Sequence, residues 1–115
     1  MSDLELLQGA WRQVSGEANV ADEYGDGLTT VFEGHRFTVR RDDGSVVLEG
    51  DFVMDESMKS IDWIDSIGPD AGKVLPAIYR LDRDQFSFVA ADEGMPRPRV
   101  FRAGPGEVMR TFERS

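Results

Sequence analysis

The chain holds 115 residues, 40% of them apolar and 10% aromatic, with 13 basic against 22 acidic side chains and a net charge of −9. That is the size of a single domain, read over residues 1–115, able to bury an ordinary hydrophobic core. The acid excess argues against a nucleic-acid or anionic-membrane partner, the absence of cysteine excludes disulfides, thiolate metal sites and a cysteine nucleophile, and the single histidine excludes any centre that needs two imidazoles.

Residues 4–8 predict one helical turn, capped by Ser2 or Asp3. A strand over residues 10–17 follows, and then a polar, acidic loop over 18–27, the longest connection outside the sheet. Strands over 28–33 and 36–41 are joined tightly through Gly34-His35. Asp43-Gly44 is a strong hairpin signal, because both residues tolerate positive φ. Beyond it come strands over 46–54 and 59–66, a loop over 68–73, and a hairpin of strands 74–81 and 85–91 across Asp82-Arg83-Asp84. A loop over 92–98 leads to a short strand near 99–102, and Gly104-Pro105-Gly106 turns the chain into a last strand over 107–114.

The result is an all-β antiparallel meander of eight to nine strands with a short N-terminal helical turn. Such a sheet is expected to close into a barrel, since closure removes exposed edges. Charge placement fits: residues 1–33 carry seven acids and one base, whereas residues 96–115 carry five arginines and two glutamates. First and last strands are neighbours in a closed barrel, so these signs are complementary. No apolar stretch approaches the roughly 18–20 residues of a membrane span. Residues 1–7 have neither the basic nor the apolar segment of a secretory signal, so the expected location is cytoplasmic. Whether a leader has been removed stays open at this point.

Few residues carry chemistry on their own. Asp42-Asp43-Gly44 and Asp82-Arg83-Asp84 are fragments of a calcium loop without its alternating ligands and terminal glutamate, and both fall at expected hairpin turns. Gly72-Lys73 lacks the spacing and the hydroxyl residue of a phosphate loop. His35 falls in a tight turn, where a solvent-exposed role is expected. Neither a metal nor a cofactor is expected.

The segment Leu7-Gln8-Gly9-Ala10-Trp11 is the most informative. After it come Val31-Phe32-Glu33-Gly34-His35-Arg36-Phe37, Gly50-Asp51-Phe52-Val53, Lys59-Ser60-Ile61-Asp62, Ile78-Tyr79-Arg80-Leu81 and Arg97-Pro98 before Phe101, in that order. Together they resemble a small uncharacterised lipocalin-like (calycin) domain family abundant in planctomycete proteomes. The resemblance spans about residues 4–114 and implies a lipocalin-like barrel with no established activity. It implies that the Trp11 indole plugs one end of the barrel. An arginine of the closing strands, Arg102, Arg110 or Arg114, would lie across its face. The chain departs from that pattern in its short acidic 18–27 loop and in Pro76-Ala77 ahead of Ile78-Tyr79.

Trp11, Phe37, Phe52, Trp63, Tyr79, Phe88 and Phe101 are the candidates for an interior wall, and Asp62 or Arg97 for a polar anchor. The expected function is binding of a small apolar or amphipathic molecule in the barrel interior by a monomer or weak homodimer. Two alternatives stand beside it. One is a small cofactor-free enzyme of isomerase or cyclase type, with Tyr79, Asp62 and Arg97 sharing the cavity. The other is a packed structural or protein-interaction domain with no cavity. Strand parity decides among them, because a slip of one residue moves every side chain to the other face.

Overall fold

The computed structural model describes residues 2–18, 28–66 and 71–114, with the backbone alone for 15–18. A short helix, α1 (Asp3–Leu7), is followed by β1 (Gly9–Ala18), β2 (Thr29–Glu33), β3 (Arg36–Arg40), β4 (Val46–Asp55), β5 (Ser60–Asp65), β6 (Val74–Leu81), β7 (Gln85–Ala91) and β8 (Glu107–Arg114). Each strand pairs antiparallel with the next and β8 pairs with β1, so the eight strands close into one barrel. Residues 19–27 of the expected 18–27 loop and 68–70 of the 68–73 loop lie outside the described residues, and Ala18 ends β1. No helix among the described residues is long and apolar enough to cross a membrane.

Period-two alternation builds the interior. Cross-strand partners that share the inner face include Trp11 with Thr30, Phe32 with Phe37, Phe52 with Trp63, Tyr79 with Phe88, and Phe86 with Phe112. Phe86 is fully buried, and its ring meets those of Trp11, Phe32, Trp63, Tyr79, Phe88 and Phe112 at centroid distances of 5.8 to 6.3 Å. Tilted and edge-on pairs dominate, as the ring quadrupole favours. The turns are built as the residue types require. Gly44 adopts φ +88° while the Asp43 carboxylate accepts from the Ser45 N–H and hydroxyl, and Asp82 Oδ1 accepts from the N–H groups of Asp84 and Gln85. These aspartates serve their turns. His35 is exposed beside Gly34, as its turn position suggests.

One expected strand does not form. Residues 99–102 are irregular, because β7 and β8 pair directly from Ala91 with Glu107 onward and leave no gap between them. Pro96 and Pro98, just ahead of it, carry no N–H with which the chain could enter a ladder there. Side chains hold it instead, across the outside of the wall. Arg97 Nη1 donates to the carbonyls of Ala77 (2.8 Å) and Ile61 (3.5 Å), and the Phe101 ring lies 4.2 Å from the Arg80 guanidinium carbon.

α1 closes one end of the barrel. Ser2 caps it by accepting from the Glu5 N–H, and Leu7 is fully buried beneath it. Trp11 Nε1 donates to the Leu7 carbonyl at 2.7 Å. The covering arginine is Arg114, with its Cζ 4.1 Å from the Trp11 ring and its N–H groups on the carbonyls of Leu6, Gln8 and Arg83. It joins the two chain ends through carbonyls rather than carboxylates.

A second latch lies across the same end. Asp3 accepts from the Tyr79 hydroxyl (2.6 Å) and from Lys59 Nζ (2.7 Å), which reaches it from a left-handed turn residue at φ 52°. Burial opposes the charge on Asp3, but the hydrogen bonds from Lys59 and Tyr79 outweigh it and hold the carboxyl below its usual range. Burial, reinforced by Asp3, pushes the Tyr79 phenol well above its ordinary value, and the bond to Asp3 raises Lys59. A lowered Asp3 contributes stability that is complete above its ordinary pKa of 3.8 and is lost as the pH falls through the folded value. Raised Tyr79 and Lys59 contribute below their ordinary values of 10.0 and 10.5, and that contribution is lost as the pH rises through the folded ones. The melting temperature of the wild type relative to Asp3→Asn should therefore be highest at neutral pH and converge in acid. A constant difference down the acid limb would contradict the latch.

Candidate functional site

The barrel interior is graded from one end to the other. Near α1 the inward side chains are sealed: Trp11, Phe32, Phe52, Ile61 and Phe86 are at most 1% exposed. Towards the opposite end Val39, Leu48, Leu75, Phe88, Val108 and Arg110, all inward by strand pairing, are only partly buried. The interior is thus less sealed at the end opposite α1, and that end is called the cup below. Its floor is made by the rings of Trp63, Phe37 and Phe88, with Trp63 5.3 Å from Phe37 and 5.0 Å from Phe88.

Polar groups line the cup above that floor. Asp65 follows Trp63 by two residues on β5, and Arg110 precedes Phe112 by two on β8, so both face inward. Arg110 Nη1 donates to Gln13 Oε1 at 3.5 Å, and Gln13, Thr30 and Asp65 are each buried. None of these four was expected in the interior from the sequence. Stepping by two from Trp63 and Phe112 reaches Asp65 and Arg110, but composition gives no reason to expect charge on an inner face.

The polar trio expected from the sequence does not assemble. Asp62 and Arg97 meet on the outer surface, with Arg97 Nη2 2.7 Å from Asp62 Oδ1. This is an ion pair without an aligned hydrogen bond, since the aligned N–H groups of Arg97 go to carbonyls. Asp62 faces outward because its neighbours Ile61 and Trp63 face inward. Tyr79 is inside, but at the α1 end and bonded to Asp3. Phe101 lies outside against Arg80. Asp62, on the outer face of β5, and Arg97, in the exterior strap, are thus not an interior anchor, and Phe101 in the same strap is not interior wall, whereas Trp11, Phe37, Phe52, Trp63, Tyr79 and Phe88 do face the interior.

One inward group stands out chemically. Trp63 is 6% exposed, and its Nε1–H is fully buried with no hydrogen-bond partner among the described residues. A buried donor left unmet costs about 1–3 kcal/mol. Trp11, the other indole, meets its own donor requirement at Leu7.

The fold and this interior define a closed eight-stranded antiparallel barrel with an aromatic cup at the end opposite its helix. Comparison of the chain with protein-family models, with curated proteins and with solved structures finds no match.

Proposed function

We propose that the chain binds a small, largely apolar molecule in this cup, as a member of the lipocalin-like group that its Gly-x-Trp segment resembles. The observation that carries the reading is the aromatic interior around Trp63, bounded at the end opposite α1 by inward side chains that are only partly buried. A site for a small ligand is typically apolar with a few placed polar groups. The sealed α1 end limits the depth available, so a compact ligand fits better than a long chain. A monomeric or weakly dimeric cytoplasmic protein belongs to the same reading, supported by a chain that carries no cysteine and needs no oxidising compartment.

The test is a panel of small hydrophobic compounds, with haem and long-chain fatty acids as the large members. Melting temperature and tryptophan fluorescence would be followed together. A compact aromatic compound at a hundredfold excess over its Kd should stabilise the protein by about 2.7 kcal/mol. Haem and the fatty acids should do much less. If no compound shifts either signal, the packed interaction domain becomes the better account.

A further inference from the structure

The strap that joins β7 to β8, residues 92–106, is the longest run without helix or strand among the described residues. Connections of this length with no regular structure are uncommon in compact domains and usually carry function. Side chains anchor the strap to the wall: Arg97 on Asp62 and two strand carbonyls, and Phe101 on Arg80. Around those anchors Arg99, Val100 and Arg102 are exposed, and the two arginine side chains make no hydrogen bond or ion pair among the described residues. A protease draws several residues on each side of the cut bond into its cleft, which a paired strand cannot supply without local unfolding. The other basic residues are worse placed for such a cut. Most lie within strands; Arg41 and Arg83, in turns, are followed by aspartate, Lys59 is bonded to Asp3, and Lys73 directly precedes β6. Arg97 is followed by Pro98, whose ring crowds the bond.

We infer that the strap is a proteolytic processing site, cut after Arg99 or Arg102 by an arginine-specific serine protease, and that the cut chain keeps its barrel with β8 as a separate strand. The step is a hydrolysis. The peptide C–N bond breaks, the hydroxyl of water goes to the arginine carbonyl carbon and its proton to the freed amine, and nothing is oxidised. The ladder survives because β8 pairs with β1 from Val108 to Arg114 and with β7 from Glu107 to Glu113, all beyond the strap. Buried Phe112, and Arg114 over the Trp11 ring, hold the cut segment in place. Processing thus turns a closed barrel into one whose last strand is held without a covalent link and can leave, uncovering the edges of β1 and β7.

Limited digestion of the full chain with trypsin under native conditions, with fragment masses measured over time, makes the test. Every lysine and arginine lies among the described residues, so the structure ranks all the competing bonds. The first cut should fall after Arg99 or Arg102. The two fragments should then elute together at the volume of the intact protein on a native sizing column and separate in urea. In the double variant Arg99→Gln, Arg102→Gln that cut should disappear and the first cleavage should slow by about tenfold, because the remaining bonds open only with a larger unfolding. Thermal melting of the uncut double variant should match the wild type, since neither side chain holds the fold. A first cut elsewhere, a strap that stays whole until the protein unfolds, or a double variant digested at the wild-type rate would overturn the site. Fragments that separate on the native column, or digestion with no two-fragment stage, would overturn the surviving barrel.

Discussion

Trp11→Ala is expected to lower stability by about 3–5 kcal/mol, the usual cost of deleting a large aromatic side chain from a sealed interior. The indole is fully buried, stacks beneath the Arg114 guanidinium, and donates to the last turn of α1 through Leu7. Its removal leaves a void between Phe86 and the helix and takes away the face on which Arg114 lies. For a domain of this length the loss corresponds to a fall of roughly 15 °C in melting temperature. Arg114→Lys should reproduce a smaller part of it, since an ammonium cannot reach Leu6, Gln8 and Arg83 together as the guanidinium fork does. Both variants would be followed by thermal and urea unfolding. A Trp11→Ala protein within 1 kcal/mol of wild type, by either method, would mean that the α1 end is not closed by this plug.

Gly50→Ala is the second large effect, and it acts on the wall of the cup. A methyl group built on Gly50 would lie 2.1 Å from the Ile64 carbonyl oxygen and 2.9 Å from the Asp65 Cα. Both are backbone atoms, so no side-chain rotation relieves the clash. The two strands approach closely here, where Gly50 pairs with Asp65 and Ser66 donates its N–H to the Glu49 carbonyl at 2.7 Å. Overpacking of this kind costs about 3 kcal/mol. It should also displace β5, which carries Trp63 and Asp65 into the interior. The expected result is a destabilised protein whose affinity for aromatic ligands falls with its melting temperature. Unchanged stability in Gly50→Ala would show that the β4–β5 spacing is looser than described.

The architecture was legible in the sequence where two local signals agreed. Val74–Leu81 and Gln85–Ala91 were readable to the residue, because an apolar run on each side is bounded by an Asp-Arg-Asp turn whose first carboxylate caps it. Closure was legible from strand count, and β1 does pair with β8. The failure over residues 99–102 has a specific cause. A short apolar pair flanked by arginines can describe a strand, or a strap pinned by its side chains, and only the direct pairing of β7 with β8 excludes the first.

The site was harder to read than the fold. Aromatic residues inside strands face the core in most cases, so Trp11, Phe37, Phe52, Trp63, Tyr79 and Phe88 were found by residue type alone. Polar residues give no such default. Asp62 and Asp65 lie on one strand three residues apart and therefore on opposite faces. The sequence singles out Asp62 by resemblance, whereas parity counted from Trp63 selects Asp65. The unmet N–H of Trp63 had no sequence signal at all, because it depends on which rings surround the indole.

The most direct test of the account is a two-dimensional proton–nitrogen spectrum recorded while a compact aromatic ketone is added. Two tryptophans give two indole signals, assigned by losing one in Trp63→Phe. The Trp11 signal, bonded to Leu7, should exchange slowly with solvent and stay in place throughout. The Trp63 signal should shift saturably, reporting a ligand packed against the aromatic interior. A Trp63 signal that no ligand moves, or one that moves only together with Trp11 as the protein unfolds, would contradict a binding cup in this barrel.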